Sequence, residues 1–169
     1  MNSMPGSSIV RINAVSTAVF AFTATAATVV FDGPWTDLAV VVALAGFATG
    51  VIAFLWGYWT AVQRSRTDDI AVTSLYFLVD NCAPKPVMRA MNALLALQTI
   101  VAIVTASVRS STDGEPGSTL AYGILFPMLG LGMNGLWGAS HGTFRPRRDR
   151  GNDGVPDHDG ASGQDVDHD

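Results

Sequence analysis

The chain has 169 residues, of which 49% are apolar and only 14% charged, with a formal net charge of −4. A soluble domain usually carries about 25% charged residues. Here the charges also cluster: four of ten Lys and Arg lie within Arg145–Arg150, and seven of fourteen acids within Asp149–Asp169. This balance excludes a nucleic-acid-binding domain, a disulfide-stapled module and a chain disordered throughout, and it predicts a polytopic membrane protein.

In chain order, the first apolar segment is Ile12–Phe31, bounded by Arg11 and Asp32. Its Ala24-Thr25-Ala26 resembles a signal cleavage site, but twenty uncharged residues exceed the usual apolar region of a signal, so it is read as a span. The second is Leu38–Val62, between Asp37 and Arg64. The third, Ala90–Val108, and the fourth, Ser118–Ser140, follow. Each approaches or exceeds the ~20 residues that a helix needs to cross a ~30 Å hydrocarbon core. None contains Asp, Glu, Lys, Arg or His. Spanning strands would be half as long and strictly alternating, so the expected fold is an all-α bundle of four transmembrane helices.

Between spans two and three lies Ile70–Val79, uncharged but only ten residues long. A short interfacial helix is expected near residues 68–80, with Thr67 as N-cap and Asp68 and Asp69 in its first turn. Asp69, Thr73, Tyr76 and Asp80 would form its polar stripe. Such a helix either lies along the membrane surface or packs against the end of the bundle. Residues 1–144 are read as the membrane domain. Residues 145–169, first basic and then acidic, are read as a disordered cytoplasmic tail.

Orientation follows from the cations. Arg11, Arg64, Arg66, Lys85, Arg89, Arg145, Arg147, Arg148 and Arg150 fall on one side of a four-span chain, and Arg109 alone on the other. The positive-inside rule then places both termini in the cytoplasm, with a cell (inner) membrane location. Trp56, Tyr58, Trp59 and Trp137 are expected as aromatic anchors at the inner face, Trp35 and Tyr122 at the outer.

The spans carry little chemistry. The four-span small multidrug exporters use a glutamate in their first helix, and a haem anchor needs paired axial ligands. This chain offers neither: His141 stands alone at the end of span four. The polar intramembrane candidates are Asn13, Asn92, Gln98 and Asn134, which either bond between helices or line a polar path. In span two Ala45, Thr49, Ala53 and Gly57 form a small-residue ladder, with Gly46 and Gly50 making a GxxxG beside it; the candidates for close helix packing are Gly46, Gly50, Ala53 and Gly57 there, and Gly130, Asn134 and Gly138 in span four. Pro127 is expected to kink span four. Cys82 has no triad partner, and Asp157-His158-Asp159 matches neither a zinc site nor an EF-hand loop. No catalytic, metal-binding or cofactor-binding residue is therefore assigned, and no cofactor is expected.

The string from Leu120-Ala121-Tyr122-Gly123 through Leu136-Trp137-Gly138, followed by His141-Gly142-Thr143-Phe144 and arginines, resembles uncharacterised small four-helix membrane proteins of high-GC actinobacteria. That resemblance brings no activity. The expected role is a non-enzymatic interaction or accessory subunit, and the alternative is an oligomeric transporter of small solutes or ions. The expected partners are the lipid bilayer and another membrane protein or a second copy of the chain, with no nucleic acid.

Overall fold

The computed structural model describes residues 6–30, 33–108, 111–112, 115–116 and 119–146. The fold is all-α. Among the described residues, three helices are long and apolar enough to cross a membrane: α1 (Ser7–Val30), α2 (Pro34–Arg64) and α4 (Lys85–Val108). A six-residue helix, α3 (Val72–Phe77), precedes α4, and α5 (Pro127–His141) completes the bundle. Two two-residue antiparallel pairs join loops: β1 (Asp68–Asp69) with β4 (Arg145–Pro146), and β2 (Ser111–Thr112) with β3 (Glu115–Pro116).

The expected fourth span, Ser118–Ser140, is not one helix. It divides into a 3-10 segment, Thr119–Leu125, and α5. Pro127 lacks a backbone donor and takes the first position of α5, where no donor is needed. Phe126 sits at the break and donates its N–H to the Gly123 carbonyl (3.0 Å). Its ring stacks on Phe20 of α1 at 4.0 Å between centroids.

α5 is the centre of the molecule. Gly132, Met133, Asn134, Gly135, Trp137 and Gly138 are all buried, and α1, α2, α3 and α4 all pack against it. Four glycines within residues 130–138 let neighbours approach on several sides. A Cβ on Gly57 would lie 2.8 Å from the Gly135 backbone. A Cβ on Gly138 would lie 2.7 Å from the Leu75 carbonyl oxygen of α3. Gly46 makes room for the Phe126 ring, and Gly135 for the Tyr76 ring.

Many large apolar side chains of the long helices face outward. Val15 and Phe22 of α1, Ile52 and Leu55 of α2, and Ile100 and Ile103 of α4 are all more than half exposed. Threonine hydroxyls on these helices bond back into their own backbone, as Thr49 Oγ1 to Ala45 O (2.8 Å) and Thr99 Oγ1 to Leu95 O (3.0 Å). That pairing removes free donors from an apolar flank.

The helix between residues 68 and 80 differs from expectation. Asp68 and Asp69 are paired in β1, so neither lies in a helical first turn, and the N-cap is Ala71 rather than Thr67. Tyr76 is buried, not part of an exposed polar stripe, because its ring stacks on Phe54 of α2 at 4.5 Å. α3 therefore packs against the bundle. It ends at Leu78, whose left-handed backbone (φ 54°) turns the chain away. The first two residues of the expected tail are described: Arg145 pairs with Asp69 across the β1–β4 ladder. The tail from residue 147 onward, including Arg147, Arg148 and Arg150, lies outside the described residues.

Candidate functional site

Two polar clusters are built into the apolar bundle, and both converge on α5. In the first, Gln98 of α4 donates from Nε2 to Asn13 Oδ1 (3.0 Å) and Thr17 Oγ1 (2.6 Å) of α1. Its Oε1 accepts the Gly130 N–H of α5 (3.1 Å). The first four N–H groups of a helix lack intrahelical partners, so Gln98 acts as a remote cap for the start of α5. Asn13, Thr17 and Gln98 are all at most 1% exposed. A Cβ on Gly130 would stand 2.5 Å from Gln98 Oε1, so a larger residue there would displace the Gln98 amide from this bond.

In the second cluster, Asn134 Nδ2 donates to Tyr76 O (3.0 Å) of α3 and Asn92 Oδ1 (3.1 Å) of α4. Asn92 Nδ2 donates in turn to Phe77 O (2.7 Å). These amides satisfy carbonyls at the end of α3, a helix too short to satisfy its own. Asn134 Oδ1 and Trp137 Nε1 are buried without a hydrogen-bond partner among the described residues. Trp137 is fully buried beside α1, so it is a core residue and not an interfacial anchor. Trp56, Tyr58 and Trp59 are exposed.

Of the small-residue candidates in span two, Gly46, Gly50, Ala53 and Gly57 are buried. The expected ladder of Ala45, Thr49, Ala53 and Gly57 is split: Ala45 and Thr49 are exposed, while Ala53 and Gly57 are buried with Gly46 and Gly50 against α5. Gly132 and Gly135 of α5, not singled out from sequence, supply the opposite side of that contact. Their signal is the glycine density itself, which exceeds what one packed face needs. Thr17 was also missed; its spacing of four from Asn13 places it on the same face of α1.

The directions of α1, α2, α4 and α5 bring Arg11, Arg64, Arg66, Lys85, Arg89 and Arg145 to one end of the bundle. Arg64 is more than a charge there. Its guanidinium donates to Ala139 O (2.8 Å) and Gly142 O (3.2 Å), closing the last turn of α5. It also pairs with Asp68 at 3.1 Å and lies over the Phe144 ring. Beside it, Asp69, Ser74, Asp80, Cys82, Thr143 and Arg145 line a polar cleft of about 480 Å³. Ser74 Oγ donates to Asp80, and Cys82 Sγ to the Ser74 carbonyl (3.1 Å). Burial, and then the Asp80 charge, push the Cys82 thiol above its ordinary range, so it is not poised as a nucleophile.

Neither amide cluster contains a titratable side chain. The bonds they make run between helices. Among the described residues, no three His, Cys, Asp or Glu side chains are grouped to hold a metal ion. The chain matches no family model, no curated protein and no solved structure in the comparisons made.

Proposed function

We propose that this chain is a four-span inner-membrane protein with cytoplasmic termini, acting as a non-enzymatic interaction or accessory subunit. The observation that carries the membrane reading is its inverted distribution of polarity. Alongside an apolar core of Phe20, Phe126, Leu129 and Trp137, the interior holds Asn13, Thr17, Gln98, Asn134 and glycine, while the flanks expose Val, Ile, Leu and Phe. Water would drive the opposite arrangement; lipid leaves small and polar residues as the groups that join helices.

The fourth crossing is made by a broken element. The 3-10 segment and α5 together reach about 36 Å, enough for a ~30 Å core. An irregular backbone is tolerated at that depth where protein covers it, and α2 and α4 pack on the 3-10 segment. The nine-to-one cation asymmetry supports the orientation.

The accessory role is supported by how the interior amides are used. Gln98, Asn92 and Asn134 bond to neighbouring helices. A transporter would need such groups along a water path, so the alternative gains no support from their placement. Purification of the full chain in mild detergent, followed by mass spectrometry, tests the role. A partner membrane protein at stoichiometric yield is the expected result. A chain that runs alone and moves solute when reconstituted into vesicles overturns it.

A further inference from the structure

Helix packing leaves one apolar groove open on the flank between α1 and α2. It encloses about 270 Å³. Val15 and Val19 of α1 and Ala45 and Thr49 of α2 form its walls, and Phe126 and Leu129 its floor. The Thr49 hydroxyl is turned onto the Ala45 carbonyl, so that wall presents a methyl surface. The groove exists because residues 45 and 49 are small and face outward; a larger side chain at either would fill it.

A charge lies beyond one end of the groove. Arg11, Val15 and Val19 recur every four residues and so share one stripe of α1. Arg11 lies one turn, about 6 Å, from Val15 toward the N-terminus. Helical side chains lean toward the N-terminus, which carries its guanidinium past the groove toward the headgroup level. Arg11 is exposed and makes no ion pair among the described residues. On α2, Ile52 and Trp56 continue the Ala45–Thr49 face toward the same end, and Trp56 is 67% exposed. An apolar channel with an exposed cation on one of its helices and an exposed indole on the other, both beyond the same end, is complementary to an anionic amphiphile.

We propose that this groove binds an anionic phospholipid, with one acyl chain between Val15/Val19 and Ala45/Thr49 and the headgroup phosphate on the Arg11 guanidinium. The site rests on the membrane reading above. A zwitterionic lipid seats the same chain but gains less from Arg11, because its own cation offsets the phosphate.

The test uses the full chain in nonionic detergent. Native mass spectrometry compares retention of phosphatidylglycerol and phosphatidylcholine with identical chains. About fivefold preference for phosphatidylglycerol is expected from one cation. Arg11→Gln should abolish the preference, and Ala45→Leu should lower retention of both lipids. A phosphatidylglycerol with a photoactivatable acyl chain should label the wild-type protein within residues 15–19 and 42–49, a result that depends on no variant folding. Equal retention of the two lipids, an unchanged preference in Arg11→Gln, or labelling confined to other faces overturns the site. So does an Ala45→Leu variant that loses a dimer while keeping its lipid, since the groove would then hold a second copy. Alkaline carbonate extraction separates the two readings: a chain retained in membranes without lipid preference removes the site alone, and a released chain removes both.

Discussion

The carbonyl oxygen of Gly50 occupies the space that a Cβ on Gly132 would need. A Cβ on Gly50 would in turn stand 2.5 Å from the Leu129 backbone nitrogen. α2 and α5 thus meet backbone to backbone, and no rotamer change can relieve a side chain placed between them. Gly50→Leu should cost about 3 kcal/mol, the upper end for overpacking, or prevent folding. Gly132→Ala should already be harmful. Val41→Leu, on the exposed side of α2, should change the detergent melting temperature little. Equal melting of Gly50→Leu and Val41→Leu would show that the two helices are not in contact there.

Gln98 holds three helices through one side chain, so its removal should be felt in all of them. Gln98→Leu leaves the Gly130 N–H and Asn13 Oδ1 buried without their partner. A loss of about 1–3 kcal/mol is expected from the unmade bonds. A double-mutant cycle with Asn13→Ala should give a coupling of about 0.5–2 kcal/mol in detergent unfolding. Additive losses would mean that the two side chains act separately.

Arg64 and Arg66 count equally toward the proposed topology but not toward packing. Arg64 closes the end of α5 through two carbonyls, whereas Arg66 is exposed. Arg64→Gln should lower stability by about 1 kcal/mol. Arg66→Gln should leave the melting curve unchanged. A pair of variants that melt alike would reduce Arg64 to a topology determinant.

Stability should fall at alkaline pH. Burial raises the Cys82 thiol above its ordinary value in the folded chain and pushes the Tyr76 phenol to about 12. Above about pH 8.5 the unfolded chain begins to lose protons that the folded chain keeps. The folded state then binds more protons, and stability declines as pH rises. The contribution of each group is complete below its unfolded value and lost as pH passes through the folded one. Cys82→Ala should flatten the first part of this decline in melts between pH 8 and 10. The native thiol should also react slowly with maleimide until the protein unfolds. Rapid labelling of folded protein would contradict its burial.

Both termini should report from the same side of the membrane. Fusions at Met1 and Asp169 should behave as cytosolic, and one within Thr112–Gly117 as external. An active alkaline phosphatase fused at Asp169 would reverse the assignment or remove one crossing.

Three long helices are legible in the sequence, because a run of twenty apolar residues has few structures open to it in lipid. Their observed bounds, Ser7–Val30, Pro34–Arg64 and Lys85–Val108, extend the expected runs mainly into polar flanks that hydropathy does not count. The small residues of α2 are likewise visible as spacing, although the ladder read from sequence joins Ala45, Thr49, Ala53 and Gly57, whereas the buried stripe is Gly46, Gly50, Ala53 and Gly57. Composition could not tell it from the adjoining Ala45 and Thr49, since small residues mark both a close contact and an open groove. Tertiary structure decided which was which, by seating α5 against one face and leaving the other on the flank. It also decided the break at Phe126 and Pro127, the burial of Tyr76 and Trp137, and the choice of Gln98 as the cap of a helix distant in sequence. Those outcomes depend on which backbone ends and ring faces meet across the bundle, and hydropathy along one chain does not encode such long-range pairing.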